Sequence, residues 1–503
     1  MYRRQIALLI IVGMLIKMAL VLWLPLGIDE SYYLLYARYF DWHFYDHPFM
    51  IGAVLKFFTK SMQLRHPFFY HIPFIMASGA STLLVYKLGS FLHNKKAGWY
   101  AVLLYTASLY MSVIAGFFVM PDGLMLLFWI IALYLAARYF LDDQLTDSVK
   151  GEFLIWFGLA VGLAMASKLH AALLWLGFGA FALFFQRKTF VTIYFWLAGL
   201  LSIIPLLPMI WWNAHNNWVH FAFYSSRVGT DTGFHPEFFI REIAGEFFYQ
   251  NPIVWIIIII FGFILSRNSR LRKPKTFLLF FSAPLLLMIW FIALFRETLP
   301  HWTGPAYVSL IVMASIGLSD REFNRPRIIN WARVALSFLL VIIISGLFLI
   351  NYYPGTIGQK KSARTYGRND FTLDMFGWKH SGKELAVKLK AMQLDSLPIY
   401  ADNWFPAAHL DEYLTPHTGN VIYGVGDITR IHQYHWINTQ RGGLPMYDSA
   451  IYIAVSNYPT NPEQLYGQKF KQIECLDSLV QLRSGKPTRY FHIFLMHDQF
   501  TQH

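Results

Sequence analysis

The chain contains a single cysteine, Cys475, among its 503 residues. One cysteine excludes a disulfide framework within the chain and any cysteine-rich metal site. Charged residues are also scarce, at 14%, whereas soluble globular chains carry roughly 25%. Hydrophobic residues make up 56% of the chain, aromatic residues make up 18%, and the mean hydropathy is +0.40. This composition indicates a polytopic membrane protein.

The formal net charge of +13 does not indicate a nucleic-acid partner. Most of the clustered Lys and Arg residues stand in the gaps between apolar runs, where basic residues set the topology of a membrane protein. The first apolar run is flanked by Arg3 and Arg4 and lacks a small-residue cleavage site. We therefore interpret it as a retained span in the lipid bilayer and not as a signal peptide.

Apolar runs recur until about residue 351 and then stop. The hydropathy criterion predicts about eleven transmembrane helices. They lie at roughly 6–26, 70–92, 99–118, 123–140, 153–167, 169–185, 190–212, 253–266, 276–295, 303–319 and 331–351. The domain predicted from these runs covers residues 1–353.

Six basic loops fall on the same side of the membrane if the spans alternate, and that side is the cytoplasm. Their basic residues are Arg3-Arg4, Lys95-Lys96, Lys150, Arg187-Lys188, the group Arg267, Arg270, Arg272, Lys273 and Lys275, and the group Arg321, Arg325 and Arg327. The remaining ionisable residues near span ends then lie on the outer side. They lie in the long loops 27–69 and 213–251, at 120–123, 167–170 and 296–302, and after Tyr352.

This one-sided distribution predicts an active site built from loops at the outer surface, whereas a transporter is expected to place such residues near the bilayer midplane. The loop 27–69 contains two amphipathic stretches, Tyr32 to Phe40 and Phe49 to Phe58, which we expect to lie along the membrane. The loop 213–251 is long enough to act as a mobile lid.

The composition changes at Pro354 to that of a soluble domain. Short β-rich runs occur at 398–401, 421–425, 450–455 and 491–496, and helical patterns occur at 381–394 and 407–414. Strands that alternate with helices predict a small α/β domain over residues 354–503. Alternation of the spans places this domain outside the cytoplasm.

Nucleoside triphosphates are absent at the outer leaflet, so a group-transfer donor must arrive already activated in the membrane. A sugar linked through phosphate to a polyprenol fits that requirement. Its transfer needs a base for the acceptor hydroxyl and cations for the departing phosphate. Asp29, or its neighbour Glu30, is the candidate base at the end of the first span. Candidates for the phosphate are Lys168, Arg296 and His301, and candidates that shape the site are Asp46, His47, Asp122, Tyr33 and His215.

The sequence offers little to a metal or cofactor. No spacing resembles a dedicated zinc site, since no two histidines stand i, i+4 on a predicted helix beside a glutamate. A hard cation held by Asp29, Glu30 and Asp46 has no further support in the sequence. We therefore predict no cofactor.

Five blocks of residues, in order along the chain, are similar to one family. They are Asp29-Glu30-Ser31-Tyr32-Tyr33 with Asp41-Trp42 and Tyr45-Asp46-His47-Pro48, then Pro121-Asp122-Gly123, Gly158 to His170, Trp212 to Trp218, and His301 to Tyr307. The chain resembles the polyprenyl-phosphate-sugar-dependent glycosyltransferases of the C-type (GT-C) fold. These are relatives of the protein O-mannosyltransferases and of the lipid A aminoarabinose transferase.

The resemblance implies that Asp29 is the catalytic base and that Asp122 helps to shape the site. It further implies a glycosyltransferase in the bacterial inner membrane, whose donor is a sugar on polyprenyl (undecaprenyl) phosphate and whose active site faces the periplasm. Lipid A, a protein and a surface glycan are all compatible acceptors, and neither the sugar nor the stereochemistry follows from the sequence. The alternatives are a transporter of lipid-linked sugars without covalent chemistry, and a sensor whose soluble domain binds a ligand.

Overall fold

A computed structural model describes residues 2–229, 233–264, 271–320, 325–445 and 447–499. The chain divides into two compact units. The first unit comprises Met1–Ala19 and Asp41–Ile342, and the second comprises Leu20–Phe40 and Ile343–His503. The segment Leu20–Phe40, which contains Asp29 and Glu30, packs with the carboxyl-terminal part of the chain, and no pattern in the sequence indicates this.

Helices account for most of the described residues before residue 352. In chain order they are α1 (Tyr2–Trp23), α2 (Ile28–Arg38), α3 (Met50–Phe58), α4 (Pro67–Leu92), α5 (Lys95–Ala107), α6 (Pro121–Leu141), α7 (Asp147–Ser167), α8 (Leu173–Phe185), α9 (Ile193–Ile203), α10 (Leu207–His215), α11 (Val219–Val228), α12 (Pro236–Tyr249), α13 (Pro252–Ile257), α14 (Arg272–Ala293), α15 (Gly304–Asp320) and α16 (Arg325–Asn351).

Among the described residues, 7 helices are long and apolar enough to cross a membrane. They are Tyr2–Trp23, Pro67–Leu92, Pro121–Leu141, Asp147–Ser167, Ile193–His215, Arg272–Ala293 and Asn330–Asn351. The pair Pro236–Tyr249 and Pro252–Phe263 passes the same test together but is bent by 101°, and Leu169–Phe185 and Gly304–Asp320 are shorter apolar helices. The prediction of a polytopic helical membrane protein with a carboxyl-terminal α/β domain is confirmed.

The sequence predicts about eleven spans, more than the 7 helices that pass this test. The difference arises because hydropathy counts apolar runs without regard to whether the helix is continuous. The predicted span 99–118 is an example, since α5 ends at Ala107 and a separate π-helical turn covers Tyr110–Ile114. Of the predicted topology residues, Arg267, Arg270 and Arg321 lie outside the described part of the chain. Thr230 to Thr232 of the predicted loop 213–251 also lie outside it.

A continuous apolar core runs through the first unit, and α4 to α8 and α13 to α15 contribute to it. Phe157 of α7 stacks on Phe178 of α8 with ring centroids 4.6 Å apart. Helices α7 and α9 approach closely at Gly158, where a Cβ atom would lie 2.1 Å from the carbonyl oxygen of Ala198. Small residues permit such close helix contacts in membrane proteins, which is why this position requires glycine.

The second unit contains a sheet with the strand order β2-β1-β3-β5-β4. The strands are β1 (Ile399–Ala401), β2 (Ile422–Gly424), β3 (Ser449–Val455), β4 (Phe470–Arg483) and β5 (Lys486–Gln499). β1 pairs in parallel with both β2 and β3, whereas β5 pairs antiparallel with both β3 and β4. The helices of this region are α17 (Trp378–Ala391), α18 (Trp404–Tyr413), α19 (Ile428–Ile431), α20 (Tyr434–Gln440) and α21 (Pro462–Tyr466).

Candidate active site

The two acidic residues after the first apolar run occupy the first turn of α2 but differ in their surroundings. Glu30 is buried, and its carboxylate accepts a hydrogen bond from the backbone N–H of Gly27 at 2.7 Å, which caps the helix. Asp29 is half-buried. A carboxylate in the first turn also interacts favourably with the positive end of the helix dipole. Of the two candidates for the base, Asp29 is therefore the more accessible to a substrate.

A buried histidine joins the residue after this acidic pair to the soluble part of the second unit. The Ser31 hydroxyl lies 2.9 Å from Nδ1 of His409, and Nε2 of His409 lies 3.0 Å from the carbonyl oxygen of Asp374. Burial holds the pKa of His409 well below its usual value, so its ring is neutral. Because a carbonyl only accepts, Nε2 carries the proton and Ser31 donates to Nδ1. This orientation fixes the first turn of α2.

The next residues of α2 pack by aromatic contacts. The Tyr32 hydroxyl accepts a hydrogen bond from the backbone N–H of Gln433 at 3.0 Å, and its ring lies 4.7 Å from that of Trp404. Tyr33, a predicted site residue, is buried and contacts Tyr36 with ring centroids 5.5 Å apart. The contact between Tyr33 and Tyr36 lies within α2.

Buried charges hold the carboxyl end of α2. Arg38 pairs with Glu412 at 2.9 Å and with Asp411 at 3.4 Å, and Asp411 also pairs with Arg441 at 2.7 Å. The side chains of Asp411 and Arg441 are only 3% and 6% exposed. When side chains are this deeply buried, loss of one partner leaves the other charge incompletely paired and shielded from water, which destabilises the fold.

We predict that Arg441→Met lowers the free energy of unfolding by about 3–5 kcal/mol, because Asp411 stays buried with a weakened set of partners. Lys388→Met is the matched control, since Lys388 and Asp477 form an ion pair whose side chains are 32% and 33% exposed. Such a pair contributes roughly 0–1 kcal/mol. Denaturant unfolding of the full chain in detergent micelles measures both variants. If both variants lose the same free energy of unfolding, the buried ion pairs of Asp411 contribute no more to stability than an exposed pair does, and the prediction is wrong.

In the first unit, the structure brings two sequence-predicted residues into a buried ion pair. Lys168, which follows α7, places Nζ 2.9 and 3.0 Å from the two carboxylate oxygens of Asp122, in the first turn of α6. The Tyr110 hydroxyl donates to the same carboxylate at 3.2 Å. The side chains of Lys168 and Asp122 are 8% and 1% exposed. An ammonium group is thereby held in a water-poor environment.

Three histidines lie within the electrostatic reach of this ion pair, namely His47, His170 and His301. Burial, together with the positive charge of Lys168, lowers the pKa of His301 to about 4. Burial also lowers the pKa of His47 to about 4, against the opposing effect of the Asp46 carboxylate. Both rings are therefore neutral at pH 7. His301 can thus offer a phosphate a hydrogen bond but not a full charge.

We predict that these lowered pKa values make the protein less stable in mild acid. Between the ordinary pKa of 6.5 and about 4, the unfolded chain takes up protons that the folded chain excludes. Stability should be fully present above pH 6.5 and fall toward pH 4, by up to about 1.4 kcal/mol per pH unit for each histidine. Thermal unfolding of wild type and His301→Gln from pH 8 to 4 checks this. A wild type and variant with parallel pH profiles would contradict the assignment.

Residues 41–48 are held by the helices α10 and α11, a set of contacts that the sequence did not predict. The Trp212 indole N–H donates to the Asp41 carboxylate at 2.9 Å. Nδ1 of His220 lies 2.8 Å from the carbonyl oxygen of Tyr45, and the Tyr224 hydroxyl donates to the carbonyl oxygen of Asp46 at 3.0 Å. Asp46 and His47 are thus positioned by part of the predicted loop 213–251, which folds here into helix. Apart from the polar character of His220, nothing in the sequence indicates that its ring contacts the carbonyl oxygen of Tyr45.

Arg296 lines a second feature of the first unit. With Arg227, His235 and Trp302 it borders a cavity of about 590 Å³. Its Nε donates to the carbonyl oxygen of Gly229 at 2.5 Å. Its neighbour Glu297 pairs with Arg241 at 2.7 Å. The cavity therefore combines two guanidinium groups with aromatic walls.

His215 is exposed, in contrast to the buried Asp122–Lys168 pair. It lies at the end of α10, where Nδ1 lies 2.8 Å from the Trp211 carbonyl oxygen and the ring lies 4.5 Å from the Trp211 ring. Its role in shaping a site stays a prediction.

Within the described ranges, no three His, Cys, Asp or Glu residues are grouped so as to hold a metal ion.

Comparisons with known proteins agree on the class. The family described as dolichyl-phosphate-mannose-protein mannosyltransferase matches residues 46–212. No curated protein matches the chain. The crystal structure of ArnT from Cupriavidus metallidurans in the apo state is similar over 98% of both chains, with a TM-score of 0.66 at 12% identity. The same protein bound to undecaprenyl phosphate is similar over 97% of both chains, with a TM-score of 0.63 at 13% identity.

The shared fold covers the carboxyl-terminal unit as well as the membrane helices, since almost the whole of both chains is included. The family match covers the segment that contains Asp122 and Lys168. The predicted relationship to glycosyltransferases of the GT-C fold is therefore confirmed. The chain is a membrane glycosyltransferase of the GT-C fold, and its fold is that of ArnT.

Proposed function

We propose that the chain transfers a sugar from a polyprenyl phosphate, in bacteria undecaprenyl phosphate, to an acceptor at the periplasmic face of the inner membrane. The buried ion pair of Lys168 with Asp122 carries this proposal. An ammonium group in a water-poor environment interacts with a phosphate far more strongly than one in water. The structural relative ArnT binds undecaprenyl phosphate, which supports the same donor class here.

The proposed reaction breaks the bond between the anomeric carbon and the phosphate oxygen. The acceptor hydroxyl attacks the anomeric carbon and loses its proton to Asp29, and the polyprenyl phosphate departs with both bonding electrons. Lys168 stabilises the negative charge on the departing phosphate, and Arg296 offers a second, bidentate contact. His301 contributes a neutral hydrogen bond. Each role is assigned from the chemical type of the side chain and from its surroundings within its own compact unit.

The acceptor is lipid A, a protein or a surface glycan. Membranes that contain the chain are incubated with a panel of undecaprenyl phosphates that carry different radiolabelled sugars. We expect one sugar to leave the lipid and to appear in a product that partitions as a glycolipid, a protein or a polysaccharide, which names the acceptor class. If the sugar stays on its lipid and only changes leaflets, the protein is a transporter and the proposal is wrong.

The periplasmic face of the active site is proposed from the basic loops that alternate with the outer ones. Transfer should occur in spheroplasts supplied with an acceptor that does not cross the membrane. Transfer only in inverted vesicles would contradict that orientation.

A further inference from the structure

The second unit contains a cavity of about 520 Å³ that the glycosyltransferase activity does not explain. It lies beyond the carboxyl ends of two parallel strands. Asp402 and Asn403 follow β1, and Asn457, Tyr458 and Thr460 follow β3, and all of them line the cavity. Pockets of a few hundred cubic ångströms with several convergent polar groups are typical of small-molecule sites.

The topology of the sheet explains why a cavity forms at this edge. β1 lies between β2 and β3, so the chain leaves β1 toward β2 on one side and later returns to β3 on the other. The connections after β1 and β3 therefore diverge and leave a crevice at the carboxyl edge. Ligands of open α/β sheets bind at such points. The position of the cavity thus follows from the strand order.

The polar groups of the wall are held in fixed positions. The Asp402 carboxylate accepts from the Tyr452 hydroxyl at 2.8 Å and from Arg430 at 2.5 Å. The Asp374 carboxylate accepts from the Tyr458 hydroxyl at 2.6 Å. Carboxylates, hydroxyls and amides that are ordered in this way can accept and donate hydrogen bonds without a large loss of side-chain entropy.

The charges of the wall disfavour an anionic ligand. The lining includes Arg368 and Arg430 as bases, and Asp370, Asp374 and Asp402 as acids, so the formal charge is two minus three, or −1. A nucleotide or a free phosphate would meet no excess of positive charge. The lining is better suited to a neutral ligand with many hydroxyl groups, since a hydroxyl both donates and accepts.

Aromatic rings supply the apolar part of the cavity. Tyr400 lies in the wall, and Phe371, which is 65% exposed, stands at its mouth. A ring face at the mouth of a polar cavity can pack against the C–H face of a pyranose. Carboxylates, amides and ring faces together are the groups that recognise a carbohydrate.

We propose that this cavity binds a neutral glycan and that this glycan is the carbohydrate part of the acceptor. The assignment to the acceptor rests on the proposed function. The wall is also connected to the helix that carries Asp29. Asp374, whose carboxylate faces the cavity, accepts through its carbonyl oxygen from His409, and His409 accepts from Ser31. Asp374, in the cavity wall, and the first turn of α2 are therefore linked by two hydrogen bonds.

The test measures glycan binding by the full chain in detergent micelles, without a donor. The probes are fluorescein-labelled tetrasaccharides of glucose, galactose, mannose, N-acetylglucosamine and rhamnose, followed by fluorescence polarisation. We expect at least one of them to bind saturably. Phe371→Ala should weaken its binding about three- to tenfold through loss of the ring face. Tyr458→Phe, which keeps the ring but removes the hydroxyl, should weaken it at least about threefold.

Tyr447→Ala is the matched control, because Tyr447 is 46% exposed in the same unit and does not line the cavity. The inference is overturned if no tetrasaccharide of the panel binds, or if Phe371→Ala and Tyr458→Phe bind as tightly as Tyr447→Ala. Asp29→Asn separates the two proposals, since it should retain glycan binding and lose transfer. If the wild-type chain binds the glycan but consumes no sugar donor, the cavity is still a glycan site, but the glycan is not the acceptor of a transfer reaction.

Discussion

The Asp29→Asn variant is expected to fold and insert normally and to transfer sugar about 10²–10⁴-fold more slowly than the wild type. The amide keeps the size of the side chain and a hydrogen-bond acceptor but no longer accepts a proton. Asp29 is half-buried in the first turn of α2, and its helix is anchored by Ser31, Tyr32 and Arg38. The substitution should therefore remove the base without moving the helix. Initial rates of label transfer at saturating donor measure the loss.

Glu30→Gln provides the sharpest control, because it is the same type of change at the adjacent residue. The glutamine oxygen can still accept from the N–H of Gly27, so the cap of α2 should persist. We expect this variant to keep most of the activity. Asp143→Asn, at an exposed position, controls for the loss of a negative charge in general. A large loss in Glu30→Gln with full activity in Asp29→Asn would assign the base to Glu30.

The Lys168→Met variant is expected to have the second large effect. It leaves the Asp122 carboxylate, 1% exposed, without its ammonium partner, which costs about 3–5 kcal/mol in stability for a buried pair. It also removes the cation that we assign to the donor phosphate. Activity alone cannot separate these two effects, because a destabilised enzyme is also less active.

The double variant Lys168→Met with Asp122→Asn separates stability from function. Both charges are removed, and the asparagine oxygen can still accept from the Tyr110 hydroxyl. Replacement of a buried ion pair by neutral groups is often close to neutral for stability. We therefore expect the double variant to unfold at nearly the wild-type temperature and still to transfer sugar at least about a hundredfold more slowly. Wild-type turnover in the double variant would show that the ion pair serves the fold alone.

Much of the membrane fold could be predicted because apolar runs are local features of the sequence. The run at 6–26 corresponds to Tyr2–Trp23, and the run at 331–351 corresponds to Asn330–Asn351. Breaks within a run are harder to predict, as at Tyr110–Ile114, because a π-helical turn is as apolar as the helix around it. In the second unit, β4 (Phe470–Arg483) was not predicted because half of its residues are polar and most of its side chains are exposed.

The candidate site was predicted in its parts but not in its pairing. Lys168 and Asp122 were both identified from the sequence, yet their contact joins positions 46 residues apart and depends on how α6 packs on α7. The cap formed by Glu30 was in principle readable, since a glutamate three residues after the start of a helix often reaches back to it. The link from Ser31 to His409 spans 378 residues, and nothing local in either segment indicates it.

The central claim is that sugar leaves a polyprenyl phosphate and joins an acceptor in one reaction. The most direct measurement uses the purified chain in lipid nanodiscs, with the undecaprenyl phosphate sugar that the panel selects and the acceptor class that it names. Sugar in the product and free undecaprenyl phosphate are quantified in the same samples over time. We predict that the two appear in equal amounts, and that both appear about 10²–10⁴-fold more slowly with Asp29→Asn. Release of undecaprenyl phosphate without sugar in any acceptor, or no release at all, would contradict this account.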